Sequence, residues 1–109
     1  MTRYRVALTA GAEGDLDAIC DWLEGERGPD AVGEWLDRFE AAIGSLETFP
    51  ERGAIPPELV ALGIREFRQK PFKPYRIVYR VLEKRVFILL IAHARRDFQT
   101  LLQERLLRG

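Results

Sequence analysis

Residues 86–92 read VFILLIA, apolar on both of the sides that alternate along a β-strand. Such a strand has to be covered above and below, which makes it a central strand of a sheet with two packed faces. The strand before it has a different character. In Tyr75–Leu82 the odd positions Tyr75, Ile77, Tyr79 and Val81 are apolar or aromatic, whereas the even side presents Arg76, Val78 and Arg80. Glu83 and Lys84 form the turn between the two strands, the second of which runs from Arg85 to Ala92. One face of this hairpin meets a hydrophobic layer and the other carries arginines.

The arginine face must also include aliphatic residues of the central strand, either Phe87, Leu89 and Ile91 or Val86, Ile88 and Leu90, depending on the register. Arginines set in contiguous apolar surface fit a face that expects a partner. The alternative is a C-terminal helix as part of the cover: Asp97 is a suitable cap, and Phe98, Leu101, Leu102 and Leu106 share one helical face.

The upstream chain supplies the other layer. Residues 3–8 alternate, with Tyr4, Val6 and Leu8 on one side, as in a half-buried strand. Thr9 then offers a cap, and Ala12, Leu16, Ile19, Cys20 and Leu23 fall at helical spacing, giving a helix over residues 10–26. Cys20 lies on that stripe and reads as a buried, inert thiol. Gly28-Pro29 separates this helix from a second one that extends to Thr48 with Val32, Trp35, Leu36, Phe39, Ile43 and Leu46 inward. So short a connection predicts an antiparallel helical hairpin. Trp22, Trp35 and Phe39 are read as core. Residues 49–63 form a proline- and glycine-broken loop with one helical turn at Glu58–Leu62. Ile64–Lys70 is a polar strand suited to a sheet edge. The expected fold is α+β, β-α-α-β-β-β-α, with the helical hairpin on one face of a mostly antiparallel four-stranded sheet.

Length places all 109 residues in a single domain. One cysteine and one histidine cannot build the usual zinc site, so no metal is expected, and no cofactor motif is present. With no apolar run near the ~20 residues of a membrane helix and no signal segment, the expected location is the cytoplasm. The net charge of zero hides a division. Residues 1–62 carry five basic and thirteen acidic groups, a balance of −8, and residues 63–109 carry twelve and four, a balance of +8. A basic half suits an anionic partner, unless the two halves neutralise each other in the fold.

The candidate partner-binding residues are Arg65, Arg68, Lys70, Lys73, Arg76, Val78, Arg80, Phe87, Leu89 and Ile91. His93, just before Arg95 and Arg96, is a candidate proton-transfer group beside cations, although a histidine at a strand end is as often structural.

The order of elements, together with YRIVYRV, VFILLIAH, the following ARRD, LETFPERG after the second helix and the upstream IREF, resembles the RelE/ParE family of toxins from bacterial type II toxin–antitoxin systems. The likeness spans nearly the whole chain. It implies a small α+β toxin held in a hetero-oligomer by a cognate antitoxin whose extended segment covers the exposed sheet face. RelE-like members cleave mRNA on the ribosome; on that branch Arg76 and Arg80 would hold phosphate, Arg95 or Arg96 would stabilise the transition state, and His93 or Tyr79 would move the proton. ParE-like members inhibit DNA gyrase by binding. Phe98 after Arg95-Arg96-Asp97, and a leucine-rich tail without hydroxyl or imidazole, favour the ParE-like branch and a binding protein over an enzyme, with the RelE-like endonuclease and a non-toxic protein-interaction domain as the alternatives.

Overall fold

The computed structural model describes residues 3–108. β1 (Arg5–Leu8) passes through Thr9, whose hydroxyl accepts from the Ala12 amide at 3.2 Å, into α1 (Ala10–Arg27). Gly28, in the left-handed region at φ 87°, closes α1, and Pro29 opens α2 (Pro29–Thr48). A short helical turn, α3 (Pro57–Val60), precedes β2 (Phe67–Phe72), β3 (Tyr75–Leu82), β4 (Arg85–His93) and α4 (Phe98–Arg108). The strands are ordered β1-β4-β3-β2. β4 is central, as its two-sided apolar sequence requires. The sheet is mixed: β3 pairs antiparallel with both β2 and β4, but β1 runs parallel to β4. The long excursion of α1 and α2 permits that parallel pairing.

Two boundaries differ from expectation. The first strand after the loop begins at Phe67 rather than Ile64, because the Ile64 amide bonds back to Leu59 and completes the α3 turn. The same strand continues through Pro71, which an edge strand tolerates. Trp22 is 57% exposed rather than core. Adjacent helical residues point about 100° apart, and burial of Leu23 turns Trp22 outward.

The core has two parts, one on each side of the sheet. Against the helical hairpin pack Ile77, Tyr79, Val86, Ile88 and Ile91, joined by Leu23, Trp35, Phe39 and Leu46. Trp35 stacks on Phe39 at 5.4 Å between ring centroids and meets Phe72 and Tyr75 edge-on. On the other side, Val78, Leu89, Leu90 and Ala92 are covered by Phe98 and Leu102 of α4 and Leu59 of α3.

A β-bulge decides which residues go where. Val78 registers on Leu90 but Tyr79 on Ile88, so Leu89 is an extra residue in β4. Both Leu89 and Leu90 therefore join the α4 side, and Ile91 returns to the hairpin side. Neither alternating set expected for the arginine face is realised.

The bulge lies where β1 ends. The last link between the two is the Thr9 amide donating to the Ile88 carbonyl at 3.0 Å. Beyond it, side chains complete the edge of β4: Asp15 of α1 accepts from the Ile91 amide at 3.0 Å, and Arg105 of α4 donates to the Leu89 carbonyl at 2.7 Å. Asp15 and Arg105 also bond each other through two contacts of 2.8 Å. A Cβ on Gly11 would stand 2.8 Å from Arg105 Cδ, so the glycine leaves the path for that side chain.

This joint should be measurable. Asp15→Ala is expected to cost about 2–3 kcal/mol, because it strands the Ile91 amide and leaves a largely buried guanidinium unpaired. In a double-mutant cycle with Arg105→Ala, denaturant unfolding should show a coupling of at least ~1 kcal/mol, and losses that simply add would mean the pair does not act as a unit. At the β3–β4 turn, Glu83 holds a left-handed φ of 58°. Glu83→Gly should raise stability by about 0.5–1 kcal/mol, and an unchanged or lower melting temperature would contradict that.

Candidate functional site

The arginine face divides by what each side chain already holds. Arg76 leaves β3 on the α4 side and donates to both carboxylate oxygens of Glu58, at 3.0 and 2.9 Å. Its Nε donates to Gln69 Oε1 at 2.9 Å, Nη2 approaches the same oxygen, and the guanidinium lies 3.8 Å from the Phe98 ring centroid. Three nitrogens and one flat face are committed, so Arg76 fastens α3, β2, β3 and α4 rather than offering a free fork to phosphate.

Arg68 is likewise committed. Its Nη1 donates to the carbonyls of Glu51 and Gly53, at 3.0 and 2.8 Å. Tyr79, the register partner of Arg68 on the hairpin side of the sheet, donates its hydroxyl to the Pro50 carbonyl of the same loop, and burial pushes its phenol up from the ordinary tyrosine range. A Cβ on Gly53 would sit 2.6 Å from the Gln69 carbonyl, which explains a glycine at the end of LETFPERG. Tyr79 therefore anchors this loop and is not placed to move a proton at an exposed site.

Val78 is fully buried, Leu89 is 7% exposed and Ile91 is 2% exposed. All three were expected on the open face. α4 covers Val78 and Leu89, and the bulge turns Ile91 to the hairpin side. Arg80 and Phe87 do remain on open surface, beside a groove of about 310 Å³ that Phe67, Leu82 and Leu106 also line. Arg80 is exposed, its guanidinium 6.0 Å from the Phe67 ring centroid. Arg65 borders a second side of Arg80, near Glu51, Glu66 and Glu83. Lys70 faces a different cavity, of about 180 Å³, with Arg52 and Ser45. Lys73 lies in the β2–β3 turn, where its carbonyl accepts from Arg38 at 3.4 Å.

His93, Arg95 and Arg96 are exposed together beyond β4. Nδ1 of His93 accepts from the Arg95 amide at 3.1 Å, and the ring meets Tyr75 edge-on at 5.9 Å. His93 registers on Tyr75 and Phe87 on Arg80, so the imidazole and Arg80 stand five residues apart along the hairpin, roughly 17 Å at strand rise. The residues expected to form one catalytic group are thus spread over a committed clamp, an open groove and a distant strand end. Burial, and then Asp17 and Asp21, raise the Cys20 thiol above its ordinary range, as suits an inert cysteine. Among the described residues no three His, Cys, Asp or Glu side chains are grouped to hold a metal, and no helix is long and apolar enough to cross a membrane.

Sequence reasoning missed Glu58, Gln69, Asp15 and Arg105. None belongs to a local pattern: Glu58 is 18 residues from Arg76, and Asp15 is 90 from Arg105.

Comparison with known proteins places this geometry in a recognisable group. The family described as ParE toxin of type II toxin–antitoxin system, parDE, matches residues 6–98. Toxin RelE2 of Caulobacter vibrioides is 37% identical over 92 residues, covering 84% of this chain and 97% of that protein. A 65-residue stretch is 38% identical to isonitrile lipopeptide synthase of Mycobacterium tuberculosis, covering 56% of this chain but only 2% of that much longer protein. The fold is shared with the chromosomal ParDE system of P. aeruginosa, at TM-score 0.68 and 24% identity over 84% of this chain and 96% of that one. It is also shared with the RelBE2 toxin–antitoxin complex of Mycobacterium tuberculosis, at TM-score 0.57 and 23% identity over 84% and 99%.

The Arg76–Glu58 clamp carries a pH signature. Hydrogen bonding to Arg76 holds the Glu58 carboxyl below the ordinary glutamate range. A depressed folded pKa gives stability that is fully present above the unfolded value of about 4.3 and is lost as pH falls through the folded value. Asp97, bonded to the Thr100 hydroxyl and amide, shifts in the same direction. Melting temperature should therefore decline below about pH 4.3, and Glu58→Gln should flatten part of that decline. An acid profile identical in the two proteins would show that the clamp does not contribute.

Proposed function

The chain belongs to the ParE toxin family of type II toxin–antitoxin systems, and from that premise we propose that it arrests growth by binding DNA gyrase and is neutralised by a cognate antitoxin. The observation that carries binding over cleavage is the separation of the candidate catalytic groups. Alignment of a 2′-hydroxyl attack and stabilisation of a phosphorane-like transition state need an acid–base pair and cations around one phosphate. Here Arg76 is spent on Glu58, the Tyr79 hydroxyl is buried on the other face, and His93 lies far from Arg80. A binding protein needs no such convergence.

Support for the antitoxin comes from the solved relatives, which are a ParDE system and a RelBE2 complex, and from the open groove beside Arg80. An antitoxin segment that orders on binding would cover this apolar surface. Gyrase and such a partner both place the protein in the cytoplasm. A second reading rests on His93, Arg95 and Arg96, exposed together at the end of β4. Those three would serve a ribosome-dependent mRNA endonuclease.

The two readings give opposite results in paired assays. Purified protein added to a gyrase supercoiling reaction should block supercoiling or trap cleaved complex, and mRNA in a reconstituted translation reaction should stay intact. Codon-positioned cuts with normal supercoiling would overturn the gyrase reading in favour of the endonuclease. Arg80→Ala should reduce growth arrest at least roughly tenfold without lowering the melting temperature, since the side chain is exposed.

A further inference from the structure

A cleft of about 180 Å³ opens between the end of α2, the loop that follows it and the edge strand β2. Strand register places it on the hairpin side of the sheet: Lys70 pairs with Ile77 and Arg68 with Tyr79, and both partners belong to the hairpin-side core. Arg76 and Phe98 lie on the other face. Leu46, Phe49, Pro71 and the Tyr79 ring give the cleft apolar walls. Those walls are held in place. Tyr79 is fully buried and donates to the Pro50 carbonyl, Arg68 donates to the Glu51 and Gly53 carbonyls, and the Gln69 amide donates to Ala54. A loop tied at four carbonyls needs little further ordering when a ligand enters.

Two cations line this cleft without partners. Among the described residues the ion pairs are Arg3–Glu47, Arg76–Glu58 and Arg105–Asp15, so neither Lys70 nor Arg52 has a carboxylate within salt-bridge distance. Lys70 is partly buried, and the Arg52 guanidinium lies 4.2 Å from the centroid of the exposed Phe49 ring. That stack fixes the plane of the guanidinium and leaves its N–H edge free. No carboxylate lines the cleft, whereas Glu51, Glu66 and Glu83 line the cavity beside Arg80. Its hydroxyls offer no spare donor, since Ser45 donates to the Ala42 carbonyl and Tyr79 to Pro50. The negative end of α2 draws cations to this corner, but it does not require an apolar cleft beside them.

We propose that this cleft binds a carboxylate carrying one apolar group: the anion bridges Lys70 and Arg52, and the apolar group rests on Leu46, Phe49 and Pro71. A lone phosphate would use the cations and leave the apolar walls wet. A neutral apolar molecule would leave both cations unpaired. A ligand with both parts satisfies the whole site. Two sources share that chemistry, a small free acid and the C-terminal residue of a polypeptide that ends in an apolar side chain. The cleft is separate from the groove beside Arg80 and from His93, Arg95 and Arg96, so its ligand leaves both of those surfaces free. Once bound, the ligand links the end of α2 to β2 and stabilises the folded state of the loop that Tyr79 anchors.

Amide chemical shifts of the full chain, followed by titration, test this with two acids and their amides: benzoate against benzamide, and N-acetyl-Gly-Gly-Leu with a free against an amidated C-terminus. At least one acid should bind with a dissociation constant on the order of 1 mM and move the amides of residues 45–53 and 69–71. Sodium chloride at the same ionic strength should not. Binding of benzoate alone identifies a small acid, and binding of the peptide alone a polypeptide terminus; both support the shared chemistry. Lys70→Gln and Arg52→Gln should each weaken binding about tenfold without lowering the melting temperature. Ser45→Phe fills the cleft from an exposed position and should abolish binding. Arg27→Gln, an equal loss of charge on α1, should bind as wild type does. Absence of binding by either acid up to ~10 mM, amides that bind as well as the acids, or wild-type affinity in both cation variants would overturn the assignment. Shifts scattered equally over Arg80, Arg95 and Arg96 would also overturn it, as general attraction of anions.

Discussion

The junction of Asp15, Arg105 and the bulge in β4 joins every layer of this molecule. A parallel strand of only four residues cannot pair with the whole length of a nine-residue central strand, and the uncovered part of β4 would carry unbonded amides and carbonyls into the interior. Asp15 and Arg105 satisfy the Ile91 amide and the Leu89 carbonyl from opposite sides of the sheet. Because each also pairs with the other, the same contact that completes the strand edge fixes α1 relative to α4. An unpaired charge at such a site would be costly, so the two side chains are useful only together.

From that junction follows the asymmetry of the sheet. The bulge sends Leu89 and Leu90 toward α4 and Ile91 toward the hairpin, which gives α4 a broad enough apolar seat to dock although it is only eleven residues long. Arg105 sits near the end of α4 and holds the helix over one half of the face. The other half, from Arg80 to Arg85, is covered by none of the described elements.

What the sequence made legible, and what it hid, divides along the range of the interactions. Strand alternation in YRIVYRVL and the two-sided apolar run VFILLIA establish a hairpin with a central strand, and Thr9, Gly28 and Pro29 mark helix ends through local backbone chemistry. The helical hairpin and the edge position of β2 were legible for the same reason, whereas the cover of Val78 and Leu89 by α4 stood only as the alternative to an open face. The bulge was not, since an extra residue inside a run of aliphatics changes neither composition nor apparent period. That single residue is why Ile91 left the expected face. Arg76 and Arg68 look like free cations in a sequence, and only the folded chain brings Glu58, Gln69 and the Glu51–Gly53 carbonyls to them. Arg5 and Arg85 show the converse: unremarkable 80 residues apart, they become register neighbours through the parallel β1–β4 pairing.

The cations of the basic half thus fall into two populations that sequence alone merges. Arg68, Arg76 and Arg105 are drawn into the protein by carbonyls and carboxylates, and their cost of desolvation is offset by several bonds each. Arg80, Arg85, Arg95 and Arg96, with Arg5 from the other half, stay in water. Part of the apparent division of charge is therefore internal bookkeeping, since Arg76–Glu58 and Arg105–Asp15 each join the basic half to the acidic one. The remaining arginines occupy two ends of one hairpin, too far apart to act on a single phosphate.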